Sequence, residues 1–240
     1  MATVTVPHPV IAPLPHTPRA QAWLPRREIA SRSTPPSAPR RQRAKRGDGD
    51  RLRDEILTAT EALLLRTGDV DAISVRAVAE AVGCTPPAIY LHFADKAELL
   101  VEVCGIRYRE LAAFVQVACL GVEDPVESLR TSLRAYIQFG LEFPQHYRVL
   151  FMQPPVLDAA QWEELRMQGI TGLDALVERC TRALETGRLR NTDAHLMAVG
   201  LWAMAHGIVS LRIVKPHFDW PDVERTVQHA VDTHINGLLS

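Results

Sequence analysis

The sequence predicts an all-α fold, on three observations. From Asp50 onward, apolar residues recur almost throughout at the spacing of an amphipathic helix. The same part of the chain holds no alternating strand pattern of useful length and no repeat at the periods of solenoid proteins. Glycine and proline stand at the joints between the periodic segments, where they begin or end helices. With 47% apolar residues, a chain of 240 residues can bury a sizeable core.

The first 46 residues differ in composition from the rest of the chain. They hold nine Lys or Arg against one acid, whereas the other 194 residues hold 18 bases against 27 acids. Nine of the 17 prolines also fall there, a composition that disfavours both helices and a core. We therefore expect a disordered, basic, proline-rich tail at 1–46. A helix-turn-helix domain is expected at 47–97 and a larger helical domain at 98–240.

The first two predicted helices form a support and a short second element. The first runs from about Arg51 to Arg66 and has an apolar stripe along one side. The second opens with Ser74 as N-cap and ends at Gly83. Two apolar residues that flank its start, Ile73 and Val78, are spaced as a hydrophobic staple.

A third short helix is expected directly after the second. Thr85 is a good N-cap, and Pro86 suits the first helical position. The helix must stop near His92 or Phe93, because Asp95 and Glu98 form a capping box that opens the next helix. The later helices are predicted at about Asp95–Leu120, Pro125–Glu142, Pro144–Phe151, Asp158–Thr186 with kinks at Gly169 and Gly172, Thr192–Val214 and Pro221–Leu238.

Two short helices joined by a tight turn and braced by a preceding helix describe a helix-turn-helix. The stretch from Ser74 to Leu100 reads SVRAVAEAVGCTPPAIYLHFADKAELL. This stretch resembles the signature of the tetracycline-repressor (TetR) family of transcriptional regulators, closely from about Arg51 to Leu100. The resemblance implies a homodimer that binds double-stranded operator DNA, with a carboxy-terminal domain for ligand binding and dimerisation.

Candidate DNA-binding residues follow from this motif. A helix N-terminus attracts phosphate, Tyr90 and His92 can donate hydrogen bonds, and Lys96 adds charge. Ile89 and Phe93 are expected to hold the short helix on the core. The alternative for Tyr90 is a satisfied core tyrosine. The candidates within the motif are Ser74, Arg76, Thr85, Pro86, Pro87, Tyr90, Leu91, His92 and Lys96.

Two features weaken base readout from the motif itself. Leu91 stands where many relatives are polar or basic, and Pro87 stands where a small residue is common; Leu91 can touch a thymine methyl group but cannot pair with guanine. Residues 51–100 also carry five bases against eight acids. We therefore expect the basic run at 40–46, with Arg43, Lys45 and Arg46, to supply charge for DNA as a flexible arm; a solvated run without fixed contacts is the alternative.

The carboxy-terminal part carries candidate ligand-binding residues. The segment Trp202–Gly207 resembles a Trp-x-x-x-His-Gly element of one branch of the family's regulatory domains, with Gly207 expected to admit a neighbouring backbone. Packing of a core tryptophan on a hydrogen-bonded histidine is the alternative. The candidates are Tyr136, Phe139, Tyr147, Phe151, Trp202 and His206. We expect an apolar or amphipathic small molecule. The nearly all-apolar helix around Leu196–Leu211 demands burial on two sides, by the core and by a second subunit.

Other function classes find little support. The four cysteines are too far apart for a CxxC pair, which favours reduced thiols in the cytoplasm. The longest apolar run, Leu196–Ala205, is about half the length that spans a bilayer, so no membrane partner is expected. No catalytic motif is recognisable, and no catalytic residue, metal site or cofactor is expected. We predict a ligand-released repressor; the alternatives are a small-molecule-binding helical protein without DNA binding, and a helical enzyme.

Overall fold

A computed structural model describes residues 48–152 and 172–239, together with Asp158, Ala159, Gln161 and Glu163. These residues are helical apart from their connections and one isolated bridge between Leu189 and Leu239. The helices are α1 (Asp48–Thr67), α2 (Val75–Val82), α3 (Pro86–Ile89), α4 (Lys96–Ala118), α5 (Pro125–Glu142), α6 (Pro144–Tyr147) with a π-helical turn at Arg148–Met152, α7 (Leu173–Glu185), α8 (Ala194–Val214) and α9 (Val223–Asn236).

The tail predicted at 1–46 lies outside the described residues, as do its candidate DNA contacts Arg43, Lys45 and Arg46. The first helix begins at Asp48, three residues before the predicted start at Arg51.

Side-chain caps fix the starts of the helices. The Ser74 hydroxyl accepts a hydrogen bond from the Ala77 amide at 3.1 Å, as the sequence predicts. The N-cap of the predicted capping box is also confirmed: the Asp95 carboxylate accepts from the Glu98 amide at 2.8 Å. The Glu98 carboxylate accepts from the backbone amide of Ala94, one residue before the N-cap, instead of from that of Asp95. Because these bonds satisfy otherwise orphaned amides, the starts of α2 and α4 follow from local sequence.

The predicted helix at Asp158–Thr186 differs from the structure. Gly172 has a φ of +66°, in the left-handed region, and α7 begins only at the next residue, Leu173. A left-handed residue cannot continue a right-handed helix, so Gly172 separates α7 from what precedes it instead of kinking one long helix. Gly169 lies outside the described residues.

Two apolar cores organise the described part of the chain. Helices α1 to α4 pack around a first core that includes Ile56, Val78 and Leu99. Ile89 and Phe93 are each 1% exposed in this core, which confirms that they hold α3 in place. Helices α5, α7, α8 and α9 pack around a second core that includes Leu129 and Leu201. The first core therefore positions the helix-turn-helix, and the second forms the carboxy-terminal body.

Helix α8 has a buried side and an exposed apolar side. Leu201 and Val209 lie in the second core, whereas Leu196 is 67% and Leu211 52% exposed. Within the described ranges, α8 is the one helix whose length and composition would also allow it to cross a membrane, a test that core helices of soluble proteins also pass. Here one side of α8 packs on α5 and α7, so only the opposite side lacks the burial that the sequence calls for.

Candidate DNA-binding surface and ligand cavity

The turn between α2 and α3 depends on a glycine. Gly83 has a φ of +75°, and its amide donates to the Glu80 carbonyl at 3.2 Å. The next amide, of Cys84, donates to the Ala79 carbonyl at 2.9 Å, closing a glycine-capped helix end. This geometry reverses the chain within a few residues and starts α3 directly at Pro86.

Helix α3 presents polar and apolar groups to solvent at its two ends. Thr85 caps α3 by position, but its side chain makes no capping hydrogen bond. Tyr90 is 53% exposed, which excludes the core tyrosine alternative, and Leu91 is 82% exposed. The other candidates in the motif are also accessible: Ser74, Arg76 and Pro87 are exposed, and Pro86, His92 and Lys96 are half-buried.

The basic side chains near the motif are partly engaged by carboxylates. Arg51 pairs with Glu55 at 3.2 Å on α1. Arg53 pairs with Glu102 of α4, and its guanidinium also lies 5.1 Å from the centroid of the Phe93 ring. Two of the five bases in residues 51–100 are thus neutralised locally, in a segment that is already net negative.

A cavity of about 330 Å³ lies in the carboxy-terminal body, bordered by α4, α5, α7 and α8. Its walls are mainly apolar, and they include Leu111, Val115, Leu133, Phe151, Leu176 and Trp202. Tyr136 and Ser132 contribute hydroxyl groups, and Gln116 contributes an amide. The charged side chains among the described lining residues are Glu178, Arg179 and Arg182. Such an apolar cavity with few polar groups has the character of a small-molecule site.

Three hydrogen bonds run from the cavity wall into the body. The indole N–H of Trp202 donates to the Tyr136 hydroxyl at 3.1 Å. The Tyr136 and Tyr147 hydroxyl oxygens are 3.0 Å apart, and the Tyr147 oxygen is 2.6 Å from Nδ1 of His206. Because an indole can only donate, the Tyr136 oxygen accepts from Trp202, and the direction of the other two bonds depends on the tautomer of His206.

Burial keeps these groups in their neutral forms. It raises the pKa of Tyr136 to about 12 and raises that of Tyr147 further. It also lowers the pKa of His206 below its ordinary value. A neutral imidazole carries its proton on either Nδ1 or Nε2, so His206 can donate to the Tyr147 hydroxyl or accept from it.

The predicted ligand-binding residues divide into three groups. Tyr136, Phe151 and Trp202 line the cavity. Tyr147 and His206 lie outside its lining and are linked to it through the hydrogen bonds from Tyr136. Phe139 does not line the cavity: it is 3% exposed, and its ring centroid is 5.7 Å from that of Phe114 and 5.1 Å from that of Phe143. The aromatic pattern on α5 alone does not separate these two sides of the helix.

Within the described part of this chain, a close approach to a glycine occurs at Gly140 and not at Gly207. A Cβ on Gly207 would meet nothing of this chain within 4 Å. A Cβ on Gly140 of α5 would lie 2.5 Å from Val209 Cγ1 and 2.8 Å from Tyr147 Cδ2. Gly140 therefore admits the Tyr147 ring and α8 against α5. The sequence shows only an isolated glycine in a helical pattern, which is a weak signal.

A nearly buried arginine joins α4 to α1. Arg107 of α4 is nearly buried and pairs with Glu61 of α1 at 3.0 Å and with Glu110 at 2.6 Å. Burial above all, and also the nearby charge of Arg107, lower the pKa of His146 to about 4. His146 precedes Tyr147 on α6, so adjacent residues of one short helix face Arg107 and the hydrogen-bonded chain. The sequence gives no sign of the Arg107–Glu61 pair, because these two residues are far apart in the chain.

Comparisons with known proteins cover both parts of the molecule. A family model described as "Bacterial regulatory proteins, tetR family" matches residues 56–103. A second, described as "Tetracyclin repressor-like, C-terminal domain", matches residues 129–234. A curated relative, the HTH-type transcriptional activator FasR of Mycolicibacterium smegmatis, is 26% identical over 166 residues, which cover 68% of this chain and 73% of FasR.

Solved structures share the fold. A protein of unknown function from Rhodococcus sp. RHA1 is 26% identical with a TM-score of 0.67, over 79% of this chain and 96% of that protein. NalD, the secondary repressor of the MexAB-OprM multidrug efflux pump in Pseudomonas aeruginosa, is 23% identical with a TM-score of 0.58, over 80% of this chain and 97% of NalD. The helix-turn-helix on α1 to α3, the helical body and these matches agree: the chain belongs to the TetR family of DNA-binding transcriptional regulators.

Proposed function

We propose that the protein is a homodimeric repressor that binds a two-fold operator through α3 and leaves it when a small molecule occupies the cavity. The observation that carries this proposal is the position of α6, between the cavity and the first core. Tyr147 of α6 is hydrogen-bonded to Tyr136, which lines the cavity. Its neighbour His146 lies near Arg107, which forms an ion pair with Glu61 of α1. A regulator that acts on DNA in this way works in the cytoplasm.

DNA contacts are assigned to the accessible groups around α3. Thr85 keeps its hydroxyl for a phosphate, Tyr90 and His92 donate hydrogen bonds, and Lys96 supplies charge at the start of α4. Leu91 contacts the methyl group of a thymine. Ser74, Arg76, Pro86 and Pro87 complete the surface, with Ser74 at the start of α2.

The dimer is assigned to the exposed apolar sides of α8 and α9. Leu196, Leu211 and Val214 of α8 and Val223 of α9 are more than a third exposed. Burying these side chains against a second copy would remove apolar surface from water, which favours association. A two-fold dimer places two copies of α3 about one DNA turn apart or a multiple of it, so the operator should be palindromic.

Ligand control follows from a coupling between cavity and α1. Ligand and DNA must favour different arrangements of the two α3 copies, and the coupling must be reciprocal. We assign its transmission to α6 and to the Arg107–Glu61 pair. FasR is named an activator and NalD a repressor, so the sign of regulation needs its own test, a reporter gene behind the operator with and without the protein.

The basic run at 40–46 is proposed to supply most of the electrostatic affinity, because residues 51–100 are net negative. Genomic fragments that the full chain retains would serve as operators. A chain lacking residues 1–46 should bind them more weakly and with a flatter dependence of log K on log salt. An unchanged slope would contradict a DNA-binding role for the tail.

One alternative has an observation in its favour. The net negative motif and the exposed Leu91 suit a helical small-molecule-binding protein that no longer uses DNA. A gel shift with the DNA upstream of its own gene separates the two proposals. Retention of a discrete fragment by the full chain supports the regulator, and absence of any retained fragment at low salt supports the alternative. Turnover of a cavity ligand without nucleic acid would indicate a helical enzyme.

A further inference from the structure

We propose that the cavity takes an anionic amphiphile, with its carboxylate or phosphate head at Arg179 and Arg182 and its apolar tail toward Tyr136 and Trp202. This inference rests on the proposed ligand-binding role of the cavity and names the class and orientation of the ligand. The arginines among the described lining residues both lie on α7, whereas Phe151 and Trp202 make the wall around Tyr136 apolar.

The cavity is elongated along the helices. Lining residues of α4 extend from Tyr108 to Gln116, eight positions apart and hence about 12 Å along the helix axis. An ion pair of 2.5 Å between Arg188 and Asp124 places the far end of α7 beside the start of α5. Arg182 therefore lies toward the end that holds Gln116, and the start of α7 lies toward the opposite end.

The end near Tyr136 favours an apolar group. Phe151 and Trp202 line it, and the Tyr136 hydroxyl is already engaged. That hydroxyl accepts from Trp202, and its oxygen lies 3.0 Å from that of Tyr147, which is 2.6 Å from Nδ1 of His206. The Tyr136 oxygen thus has two hydrogen-bond partners within the protein and needs none from a ligand. An alkyl tail can occupy this end without breaking a hydrogen bond.

The positive charge among the lining residues lies along α7. Arg182 pairs with Glu178 at 2.9 Å, one helical turn before it, and both side chains are more than half exposed. A guanidinium N–H of Arg179 donates to the Ala175 carbonyl at 3.2 Å, so this group is turned toward the start of α7. Among the described lining residues, two guanidinium groups accompany one carboxylate, and guanidinium groups match carboxylate and phosphate geometry. Gln116 adds a neutral amide donor at the end near Arg182. An anionic head would compete with Glu178 for Arg182.

Calorimetric titration of the full chain with eight-carbon probes tests this assignment. The probes are octanoate, octyl phosphate, octanoyl-coenzyme A and 1-octanol, so that free carboxylate, phosphate and bulky thioester heads are compared with a neutral one. We expect at least one anionic probe to bind about tenfold more tightly than 1-octanol. The anionic probe that binds most tightly shows whether the cavity prefers a carboxylate, a phosphate or a coenzyme A thioester head group. Equal affinity for 1-octanol and every anion, or no binding of any probe, would overturn the proposal.

Substitutions on α7 sharpen the test. Arg179→Gln and Arg182→Gln should each lower the affinity for the anionic probe by about threefold to tenfold and leave the affinity for 1-octanol unchanged. Glu178→Gln should raise the affinity for the anionic probe, because it removes the carboxylate that competes with the probe for Arg182. Arg188→Gln is the matched control: it removes the same charge just beyond α7, outside the cavity lining. A loss in the control equal to the loss in Arg182→Gln would show general electrostatics and contradict the site.

Operator binding with each probe separates this inference from the proposed function. An anion that binds through Arg179 and Arg182 but leaves operator affinity unchanged supports the site and contradicts ligand-released repression. Release of the operator by 1-octanol as effectively as by the anions supports ligand control and contradicts the anionic head.

Discussion

The hydroxyl oxygen of Tyr147 lies 2.6 Å from Nδ1 of His206, joining α6 to α8. The same hydroxyl is 3.0 Å from that of Tyr136, which faces the cavity. Tyr147 is fully buried, so it has no access to water as a substitute partner. Its position makes the short α6 dependent on two other helices for its hydrogen bonds.

Tyr147→Phe should lower the free energy of unfolding by about 1 to 2 kcal/mol, because it leaves Tyr136 and His206 each without one partner. Urea denaturation followed by circular dichroism measures the change. Tyr90→Phe removes the same hydroxyl from an exposed tyrosine and should change stability by less than about 0.5 kcal/mol. Equal losses in the two variants would argue against the hydrogen-bonded chain.

Gly140→Ala should destabilise the body by about 1 to 3 kcal/mol, because its Cβ would collide with Val209 and Tyr147. Thr181→Ala, at an exposed helical position of α7, is the control and should change stability by less than about 0.5 kcal/mol. Thermal unfolding of both variants provides the comparison. If Thr181→Ala were the more damaging of the two, the packing of α5 against α8 would be wrong.

His146 should make stability depend on pH. Burial and the nearby Arg107 lower its pKa to about 4, and its Nδ1 has no hydrogen-bond partner among the described residues. The unfolded chain protonates this histidine near its ordinary pKa of about 6.5, whereas the folded chain resists protonation. Stability contributed by the neutral form is therefore complete above about pH 6.5 and is lost as the pH falls toward about 4.

The variant His146→Gln removes this titration. Between about pH 7 and about pH 4.5, the wild-type free energy of unfolding should fall by about 2 kcal/mol more than that of the variant. Urea denaturation at both pH values gives the difference, and the carboxylates shared by both proteins cancel from it. Parallel losses in wild type and variant would mean that His146 titrates normally in the folded protein.

Local features could be read from the sequence, and long-range pairs could not. The Ser74 cap, the Asp95–Glu98 box and the turn at Gly83 each depend on residues within one helical turn, so composition and spacing suffice. The Tyr147–His206 bond joins residues 59 positions apart, and only the packing of α6 on α8 creates it. The same holds for Arg107 and Glu61, whose ordinary spacing gives no hint of an ion pair.

Assignment of individual ligand residues also required the helix packing. An aromatic run on α5 marks the right helix, but the rotation of that helix decides that Tyr136 faces the cavity and Phe139 faces Phe114. The arginines on α7 gave no sequence signal, because an i, i+4 pair such as Glu178 and Arg182 is common on exposed helices.

We propose that α3 and the start of α4 form the operator-binding surface. Fluorescence anisotropy of the full chain on a labelled genomic fragment that it retains measures the affinity that this surface should supply. Tyr90→Ala combined with Lys96→Ala should weaken operator affinity by at least about tenfold, through loss of phosphate contacts. Lys215→Ala combined with His217→Ala, which alters an exposed loop of the carboxy-terminal body, is the control and should leave affinity unchanged. Operator affinity that survives the Tyr90 and Lys96 substitutions intact would contradict this assignment of the operator-binding surface.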